Sequence, residues 1–521
     1  RLNRTGGRLD TDLIRAKDEN GQSVEIREEE GGMRFTYQME SLMSLFTALD
    51  LCNDIVDFPM SDPTQNNRYF FRGHGFTLKE SAENQNAIWS ELYNLKPEEQ
   101  GLSPVQIITN VYNQILYAND KEAPDNPTPE FWQDFRLNCQ WKGKTLNKWQ
   151  LAGLLRNFGY SEECINMLSH AIGFAGPFLS LANAGEAFQI LEDFPKNPHY
   201  HTLKDGFSTL PNTLTKKIKE MASNRNQESP IHLGVNLDKI EKSGAGYKVE
   251  YTRAPKGESA YNQMPEGKPG EIVANKVILA IASNAMEKLF VKSPALHKQK
   301  NAPQFLKDIR STLNMKLLKI NLYFDKPWWT EEYTSRPGFV YGPSFTDLPI
   351  NSAYPFYAIK GDIEESIAAL TLYLDFNNVN FWKGLQNIKP FFDSEMQQMH
   401  SKPPQVMFPA TEAVVEEAMK QLGELFGTTW IPRPVLTSFR SWSGEDDFGY
   451  AYHQWALDVQ DDEVMERMIE PVPNIYGCNE AWSDMQGWVN GSLRSTDLVM
   501  KRIGLKAITE LYQPCSEPKK D

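Results

Sequence analysis

Hydrophobic and polar positions follow two different periods along the chain, and the two periods alternate. Between residues 103 and 118 the apolar positions fall three and four residues apart, which predicts a helix capped by Ser103 with Pro104 in its first position. A second helix is predicted between Thr145 and Gly159, and helical signals continue to about residue 190. This stretch is typical of a helical insertion.

Alternation typical of strands dominates after residue 229. The apolar run VILAIA, residues 277–282, predicts a buried parallel strand, and Ser283-Asn284 after it predicts a capped helix. A last long helix is predicted from near Gly487 to about Tyr512. Because strands and helices interleave at both ends of the chain, the pattern predicts an α/β fold built from discontinuous segments. The remaining predicted strands are residues 231–241, 247–251, 317–324, 367–374, 434–442 and 474–482.

The polar stretch from residue 9 to residue 32 ends EIREEEGG, and its acidic composition predicts a solvated hairpin or loop. The whole chain is acidic as well: 54 Lys and Arg stand against 68 Asp and Glu in 521 residues, a net charge of −14. This balance disfavours nucleic acid and anionic membranes as partners, because both require a basic face.

Residue usage also disfavours a membrane-spanning protein and a protein built on disulfides or zinc. No run of 18 apolar residues occurs, so no segment is predicted to span a membrane. The five cysteines, at positions 52, 139, 164, 478 and 515, are far apart and lack CxxC spacing. Neither a disulfide framework nor a zinc site is therefore expected.

Three glycine-containing stretches carry the candidate chemistry: RTGGRL at residues 4–9, EEGGMRF at 29–35 and NIYGCNEAWSDMQGWVNGSLRS at 474–495. In each, small residues let backbone N–H groups approach a ligand closely, with an arginine or a carboxylate beside them. A helix that begins near Gly487 would direct its N-terminus at an anionic or electron-rich group. Each stretch alone also suits an ordinary turn, so the prediction depends on their order and spacing together.

Together these stretches resemble the flavin-dependent amine oxidases, most closely the L-amino acid oxidases. The resemblance covers essentially the whole chain and is most specific in the C-terminal stretch. It implies an α/β fold in three parts: a Rossmann-like FAD-binding domain of the glutathione-reductase type, a substrate domain with a mixed β-sheet, and a helical insertion. The implied boundaries are residues 1–35, 206–290 and 431–521 for the first part, 36–102 and 291–430 for the second, and 103–205 for the third.

The resemblance also implies which residues hold FAD. Arg8 would reach the phosphates, and Glu480 would accept hydrogen bonds from ribityl or ribose hydroxyls. Leu237 would meet the adenine with its backbone, although a simple core strand explains it as well. In SWSGEDDFGY, residues 441–450, the cysteine that tethers flavin in monoamine oxidases has no counterpart, so the FAD is expected to be noncovalent. Groups around the isoalloxazine would come from Gly31, Gly32, Met33, Arg34, Gly487, Trp488, Val489 and Ser492.

Substrate residues are implied in the same way. Arg34 would pair with the substrate α-carboxylate, with Tyr354, or alternatively Tyr357, as the second ligand. Lys319 would hold a water against the flavin, and Lys316 is its rival. From the residues alone, the alternatives are a surface ion pair of Arg34 with Glu28 to Glu30 and a solvated strand lysine at Lys319, and the functional role is favoured for both.

Aromatic residues are expected to form walls around the substrate near Gly487. Trp442, Tyr452, Trp455 and Trp488 are the candidates, and core packing explains the first three equally well. His74 and His453 are interpreted as structural residues.

The implied reaction is oxidative deamination of L-amino acids, by hydride transfer from Cα to FAD N5. Its products would be a 2-oxo acid, ammonia and, after reoxidation by O2, hydrogen peroxide. The alternatives are an amino acid 2-monooxygenase, an amine or polyamine oxidase, and a non-catalytic flavoprotein scaffold.

The family's G-x-G-x-x-G fingerprint does not occur in these 521 residues. We therefore expect this chain to be the larger fragment of a cleaved precursor. A small N-terminal fragment with that fingerprint would stay bound, and the processed pair would form a homo-oligomer. The sequence does not indicate a cellular compartment.

Overall fold

The structure, a computed structural model, describes residues 2–17, 21–192, 199–255, 267–359, 362–402, 406–444 and 449–518. Its largest sheet is mixed: most neighbouring strands are antiparallel, but Ser344–Thr346 runs parallel to Arg68–Phe71. The predicted α/β class is confirmed. The eight strands follow the order Gly449–Tyr450, Leu436–Gly444, Leu317–Phe324, Ala368–Asp375, Ser352–Tyr357, Ser344–Thr346, Arg68–Phe71 and His74–Thr77.

The central strand Leu317–Phe324 is buried along its whole length. Its even-numbered residues are apolar and share one hydrophobic core with helix Glu412–Phe426. Its odd-numbered residues Lys319, Asn321 and Tyr323 point to the opposite face, because successive side chains of a strand alternate between faces. Helices Asn378–Gln386 and Glu395–His400 and the 3-10 turn Trp328–Thr330 complete this part.

A helical block forms a second core. Its predicted helix is confirmed as Pro104–Ala118, with the Ser103 hydroxyl accepting from the Gln106 N–H at 3.2 Å. The helix predicted between Thr145 and Gly159 is divided, since the 3-10 turn Leu146–Lys148 precedes helix Leu151–Phe158. The other helices are Leu78–Glu83, Ala87–Leu92, Pro129–Leu137, Glu162–Ala171, Gly176–Leu179 and Ala184–Glu192, with the 3-10 turn Pro97–Glu99 and the strand pair Gln140–Trp141 and Lys144–Thr145.

A third region contains two parallel strands, Val277–Leu279 and Ile475–Gly477, which confirm the predicted parallel pairing. The prediction that the first strand is buried is wrong, because Ile278 is exposed, and helix Ser283–Lys292 begins without the predicted side-chain cap. Beside them lies an antiparallel sheet of Val235–Ser243, Gly246–Arg253 and Lys268–Ala274. Two further pairs join Ile55–Asp57 to His201–Leu203 and Thr312–Met315 to Tyr452–Trp455. The helices here are Glu40–Leu49, Thr209–Asn224, Ser283–Lys292, Pro294–His297, Ala302–Ile309, Asp461–Ile469, Val489–Arg502 and Ile508–Leu511, with the 3-10 turn Cys52–Asp54.

The C-terminal stretch differs from its prediction in two places. The strand predicted over 474–482 ends at Gly477, because the Asn479 side chain accepts from the Ala481 N–H at 3.1 Å and caps a 3-10 turn, Glu480–Trp482. The last helix is interrupted after Arg502, near Gly504, whose φ of +84° is a left-handed conformation.

The acidic stretch near the N-terminus forms a hairpin of Thr11–Lys17 and Ser23–Glu29, as predicted. The prediction that it is solvated is wrong at its acidic end, because Glu28, Glu29 and Glu30 are buried. Glu28 and Glu30 accept from Thr371 and Asn321 on the polar face of the large sheet. Glu29 accepts instead from the Thr11 hydroxyl and the Phe207 N–H.

The structure pairs Cys52 with Cys515, so the expectation of no disulfide is wrong for these two residues. They are 463 residues apart in sequence and meet because the C-terminal segment packs beside helix Glu40–Leu49. Spacing along a chain does not reveal such a contact. No helix in the described part of the chain has both the length and the apolar composition needed to cross a bilayer.

Candidate active site

A cavity lies where the buried end of the hairpin, the polar face of the large sheet, the C-terminal stretch and the helical block meet. The structure therefore brings together residues that are far apart in sequence. The predicted residues that line it are Arg8, Gly31, Gly32, Met33, Arg34, Lys319, Trp442, Tyr452, Gly487, Trp488 and Val489.

The first two glycine stretches pack directly against each other. A Cβ atom on Gly31 would lie 1.9 Å from the carbonyl oxygen of Arg8, so this position requires glycine. The Gly32 N–H also donates to that carbonyl at 3.0 Å. In RTGGRL itself, the Arg4 guanidinium donates to the carbonyls of Gly7 and Leu9 at 2.9 and 3.1 Å and so stabilises the turn.

A buried carboxylate joins the first stretch to the third. Glu480 accepts from Arg8 Nη1 at 2.5 Å, and His453 Nδ1 lies 2.5 Å from the same oxygen. Burial alone would raise the pKa of Glu480, but the charges of His453 and Arg8 and its hydrogen bonds outweigh burial and hold that pKa well below its usual range. Arg8, which lines the cavity, is therefore held by a buried carboxylate, and the predicted contacts of Arg8 and Glu480 with FAD stay predictions.

The backbone around Gly487 is shaped to approach a ligand. Gly487 has φ +82°, and its N–H donates to the second oxygen of Glu480 at 3.0 Å. Helix Val489–Arg502 begins just after it, which directs the positive end of a helix dipole toward the cavity. Gln486 Oε1 is buried and has no hydrogen-bond partner among the described residues. These features fit the polar edge of a flavin ring.

Lys319 projects from the polar face of the central strand and is only 2% exposed, so the alternative of a solvated strand lysine is wrong. Its Nζ donates to the carbonyls of Glu29 and Gly31 at 2.7 and 2.8 Å. Burial lowers the pKa of Lys319 to about 8, although the charges of Glu29 and Glu28 act in the opposite direction. The rival Lys316 donates to Asn380 Oδ1 at 3.4 Å instead.

The glutamates behind Lys319 are unusual because they are buried. Burial raises the pKa of Glu28 to about 8 and that of Glu29 to about 7. The Thr371 hydroxyl donates to Glu28 at 2.7 Å, and the Thr11 hydroxyl donates to Glu29 at the same distance. This acidic group therefore holds protons near neutral pH and lies directly against the cavity-lining lysine.

Arg34 lines the cavity, and Tyr354 lies beside Arg34 without being a lining residue itself. Burial raises the pKa of Tyr354, while the charge of Arg34 and a hydrogen bond with it act against that rise. The Arg34 guanidinium lies 5.0 Å from the ring centroid of Tyr200. Among the described residues no carboxylate forms an ion pair with Arg34, and its buried Nε has no hydrogen-bond partner. The predicted alternative, an ion pair of Arg34 with the preceding glutamates, is therefore wrong.

The other tyrosine considered for this role, Tyr357, is engaged elsewhere. Its hydroxyl donates to the Val340 carbonyl at 2.8 Å and accepts from Trp329 Nε1 at 3.0 Å. The structure therefore favours Tyr354 as the tyrosine next to Arg34.

Three of the four aromatic residues expected as walls line the cavity, and Trp455 instead belongs to a separate hydrophobic core. Sequence reasoning missed Tyr373, although the pairing of Lys319 with Tyr373 across adjacent strands places both side chains on one face. Nothing in the sequence pattern indicated the other missed lining residues, which are Phe174, Ile190, Phe207, Leu317, Ala451 and Gln486.

Besides Trp455, four predicted residues are not among those that line the cavity: Tyr354, Glu480, Leu237 and Ser492. Tyr354 and Glu480 contact the lining residues Arg34 and Arg8. Leu237 packs against the core beneath the three-stranded sheet, and Ser492 lies in the first turn of helix Val489–Arg502. Their proposed contacts with FAD stay predictions. The stretch used to predict a noncovalent flavin includes residues 445–448, which lie outside the described residues.

This glycine-rich, arginine-flanked cavity fits a flavin, and the sequence comparison shows the family. The family of flavin-containing amine oxidoreductases matches residues 2–499, and the chain belongs to it. Membership implies a flavin cofactor. Among curated relatives, an L-amino-acid oxidase from Bungarus fasciatus is 21% identical over 411 residues, which cover 77% of this chain and 64% of that protein. The chain thus spans less than two thirds of the length of that relative.

Solved structures show the same fold. Cyclohexylamine oxidase from Brevibacterium oxydans IH-35A superimposes with a TM-score of 0.58 at 14% identity, over 98% of this chain and 92% of that one. Wild-type putrescine oxidase bound to putrescine superimposes with a TM-score of 0.57 at 15% identity, over 96% and 92% of the two chains.

Proposed function

We propose that the chain is an L-amino acid oxidase that binds FAD noncovalently and converts L-amino acids to 2-oxo acids, ammonia and hydrogen peroxide. The observation that carries the proposal is Arg34, a cation that lines the cavity beside Tyr354 and has no ion-pair partner among the described residues. A substrate carboxylate would supply the missing partner, since guanidinium groups bind carboxylates with paired hydrogen bonds.

The remaining cavity residues support the same proposal. When bound, FAD supplies the two-electron acceptor that O2 reoxidises. Gln486, Gly487 and the N-terminus of helix Val489–Arg502 would hold its polar edge. Arg34 and Tyr354 would orient the substrate by its carboxylate, and Lys319, the buried amine of the site, would hold or move a proton beside it.

An amine oxidase is the second candidate, because the two solved relatives described above are named for putrescine and cyclohexylamine. An amine substrate has no carboxylate and would not need Arg34. An amino acid 2-monooxygenase would use Arg34 in the same way but release an amide, so product analysis separates it from an oxidase.

The test is a peroxide-release screen of the twenty L-amino acids, with D-enantiomers, putrescine and cyclohexylamine as comparisons, on the wild type and Arg34→Ala. We expect activity with L-amino acids and a loss of about 100-fold or more in kcat/KM in Arg34→Ala. The exposed Arg225→Ala is the matched control and should behave as the wild type. Turnover of amines alone, unaffected by Arg34→Ala, would replace this proposal with the second candidate.

The bound N-terminal fragment with G-x-G-x-x-G and the homo-oligomer stay predictions. Native mass spectrometry of the purified protein measures both.

A further inference from the structure

The cavity wall that comes from the helical block has one aromatic residue, Phe174. Its ring lies 5.4 Å from that of Tyr373, at an interplanar angle of 89°. Tyr373 in turn lies 6.0 Å from the Tyr354 ring and 5.1 Å from Lys319 Nζ. Phe174 therefore faces the cavity across Tyr373 from the residues proposed to hold the substrate carboxylate.

The segment Gly173–Gly176, here called the Phe174 segment, is fixed at its beginning. Asn351 Nδ2 donates to the Gly173 carbonyl at 3.0 Å. Gly173 has φ +93°, and a Cβ atom there would lie 2.5 Å from the Phe345 ring, so only glycine fits.

Asp375 fixes the other end of the Phe174 segment. Its two carboxylate oxygens accept from the N–H groups of Ala175 and Gly176, at 3.2 and 2.7 Å. Asp375 is 2% exposed, and among the described residues no cation forms an ion pair with it. A buried carboxylate without a cation costs free energy, so its two backbone donors are its main compensation.

The position of Asp375 links this clamp to the cavity wall. Asp375 and Tyr373 are two residues apart on one strand, so both side chains point to the same face. One strand thus contributes Tyr373 to the wall and holds the loop that carries the opposing Phe174 ring.

Ile190 from the helical block and Leu317 from the central strand also line the cavity, and both are apolar. The charged residues that line the cavity, Arg8, Arg34 and Lys319, are all cations, and no described carboxylate lines it. A substrate side chain with a positive charge would find no partner there, whereas an apolar side chain would gain contact area.

We propose that Phe174 determines side-chain specificity, that it selects L-amino acids with a large apolar side chain, and that Asp375 is a positioning residue that holds Phe174 in place through Ala175 and Gly176. This inference rests on the proposed L-amino acid oxidase function.

The first test compares L-phenylalanine with L-alanine in the wild type and Phe174→Ala. We expect the ratio of their kcat/KM values to fall by about 10-fold or more, because lost apolar contact acts on the larger side chain only. Phe174→Leu keeps most of the side-chain volume, so its ratio should lie between those of the wild type and Phe174→Ala. An unchanged or increased ratio in Phe174→Ala would overturn the proposal.

The second test addresses Asp375. In Asp375→Asn one of the two acceptors is lost, so we expect KM for L-phenylalanine to rise several-fold while kcat, and KM for L-alanine, stay within about 2-fold of the wild type. The double variant with Phe174→Ala should show no further change in the ratio, since both act through one ring. An equal rise in KM for both substrates in Asp375→Asn would show that Asp375 is merely structural. A ratio in the double variant that falls below that of Phe174→Ala alone would show the same. Exposed Asp325→Asn is the matched control.

Binding of the 2-oxo acids phenylpyruvate and pyruvate, measured by calorimetry, gives a readout without turnover. The preference for phenylpyruvate should fall in Phe174→Ala in parallel with the kinetic ratio. If the wild type oxidises no L-amino acid, the proposed function fails. If it does but neither ratio changes in Phe174→Ala, only this inference fails.

Discussion

The two faces of the strand Leu317–Phe324 are equally buried but chemically opposite. On one face, residues such as Ile320 pack into a hydrophobic core with helix Glu412–Phe426. On the other, Lys319, Asn321 and Tyr323 meet the buried glutamates of the N-terminal hairpin. Removal from water stabilises the apolar groups of the first face, whereas it costs free energy for the polar groups of the second.

The second face is also incompletely paired. Glu28 Oε1, Glu30 Oε2, Asn321 Oδ1 and the Tyr323 hydroxyl are all buried without a hydrogen-bond partner among the described residues. A network built for stability would satisfy these groups, since each unpaired one costs about 1–3 kcal/mol. We therefore expect substitutions on the polar face to act mainly on activity and substitutions on the apolar face to act mainly on stability.

The largest effect that separates the two faces is expected from Lys319→Met. Activity should fall by about 1000-fold, within the usual range for a positioned proton-transfer group, while the protein stays folded because the neighbouring glutamates can take up protons. Steady-state kinetics and thermal unfolding of the same preparation measure both. Lys316 directly precedes the same strand, but its amine donates to Asn380. The Lys316→Met variant should therefore keep the activity of the wild type. Equal activity loss in both variants would contradict a special role for Lys319.

Ile320→Ala should produce the converse result. The side chain is fully buried in the apolar core, so we expect the free energy of unfolding to fall by about 3 kcal/mol through lost burial and a cavity. KM and kcat measured well below the melting temperature should stay within about 2-fold of the wild type. Val273→Ala, an exposed position on another strand, should change stability by less than about 0.5 kcal/mol. A large change in KM for Ile320→Ala would show that the two faces are not separable.

The sequence predicted the strand itself and which of its residues share a face, because alternation is a local property. The glycine stretches and Arg34 were likewise predictable, since the family resemblance rests on short motifs. What covers each face was not, because the covering residues are distant in sequence: Glu28 to Glu30 lie on an N-terminal hairpin whose composition predicts solvent exposure. Phe174 and the pair Cys52 and Cys515 were missed for the same reason.

The pH dependence of stability gives a smaller effect that belongs to the polar face. The pKa of Glu28 rises from its ordinary 4.5 to about 8 on folding, so the folded state binds a proton that the unfolded state has lost between those values. Its contribution to stability is therefore present below about pH 4.5 and is lost as pH rises to about 8, with a slope of at most about 1.4 kcal/mol per pH unit. Glu28→Gln should flatten this decline in denaturant unfolding, while exposed Glu228→Gln should not. An unchanged slope in Glu28→Gln would contradict a protonated Glu28.

The smallest effect is expected from Thr371→Val, which removes the hydroxyl that donates to Glu28 at 2.7 Å and keeps the side-chain volume. The free energy of unfolding should fall by about 1 kcal/mol. Because this hydrogen bond favours the ionised carboxylate, the loss should be larger above pH 8 than at pH 5. Leu370→Ile, the adjacent residue on the apolar face, should cost a similar amount at both pH values, since no titrating group depends on it. A pH-independent loss in Thr371→Val would mean that the two faces respond to pH alike, and that the proton held by the glutamates does not depend on this contact.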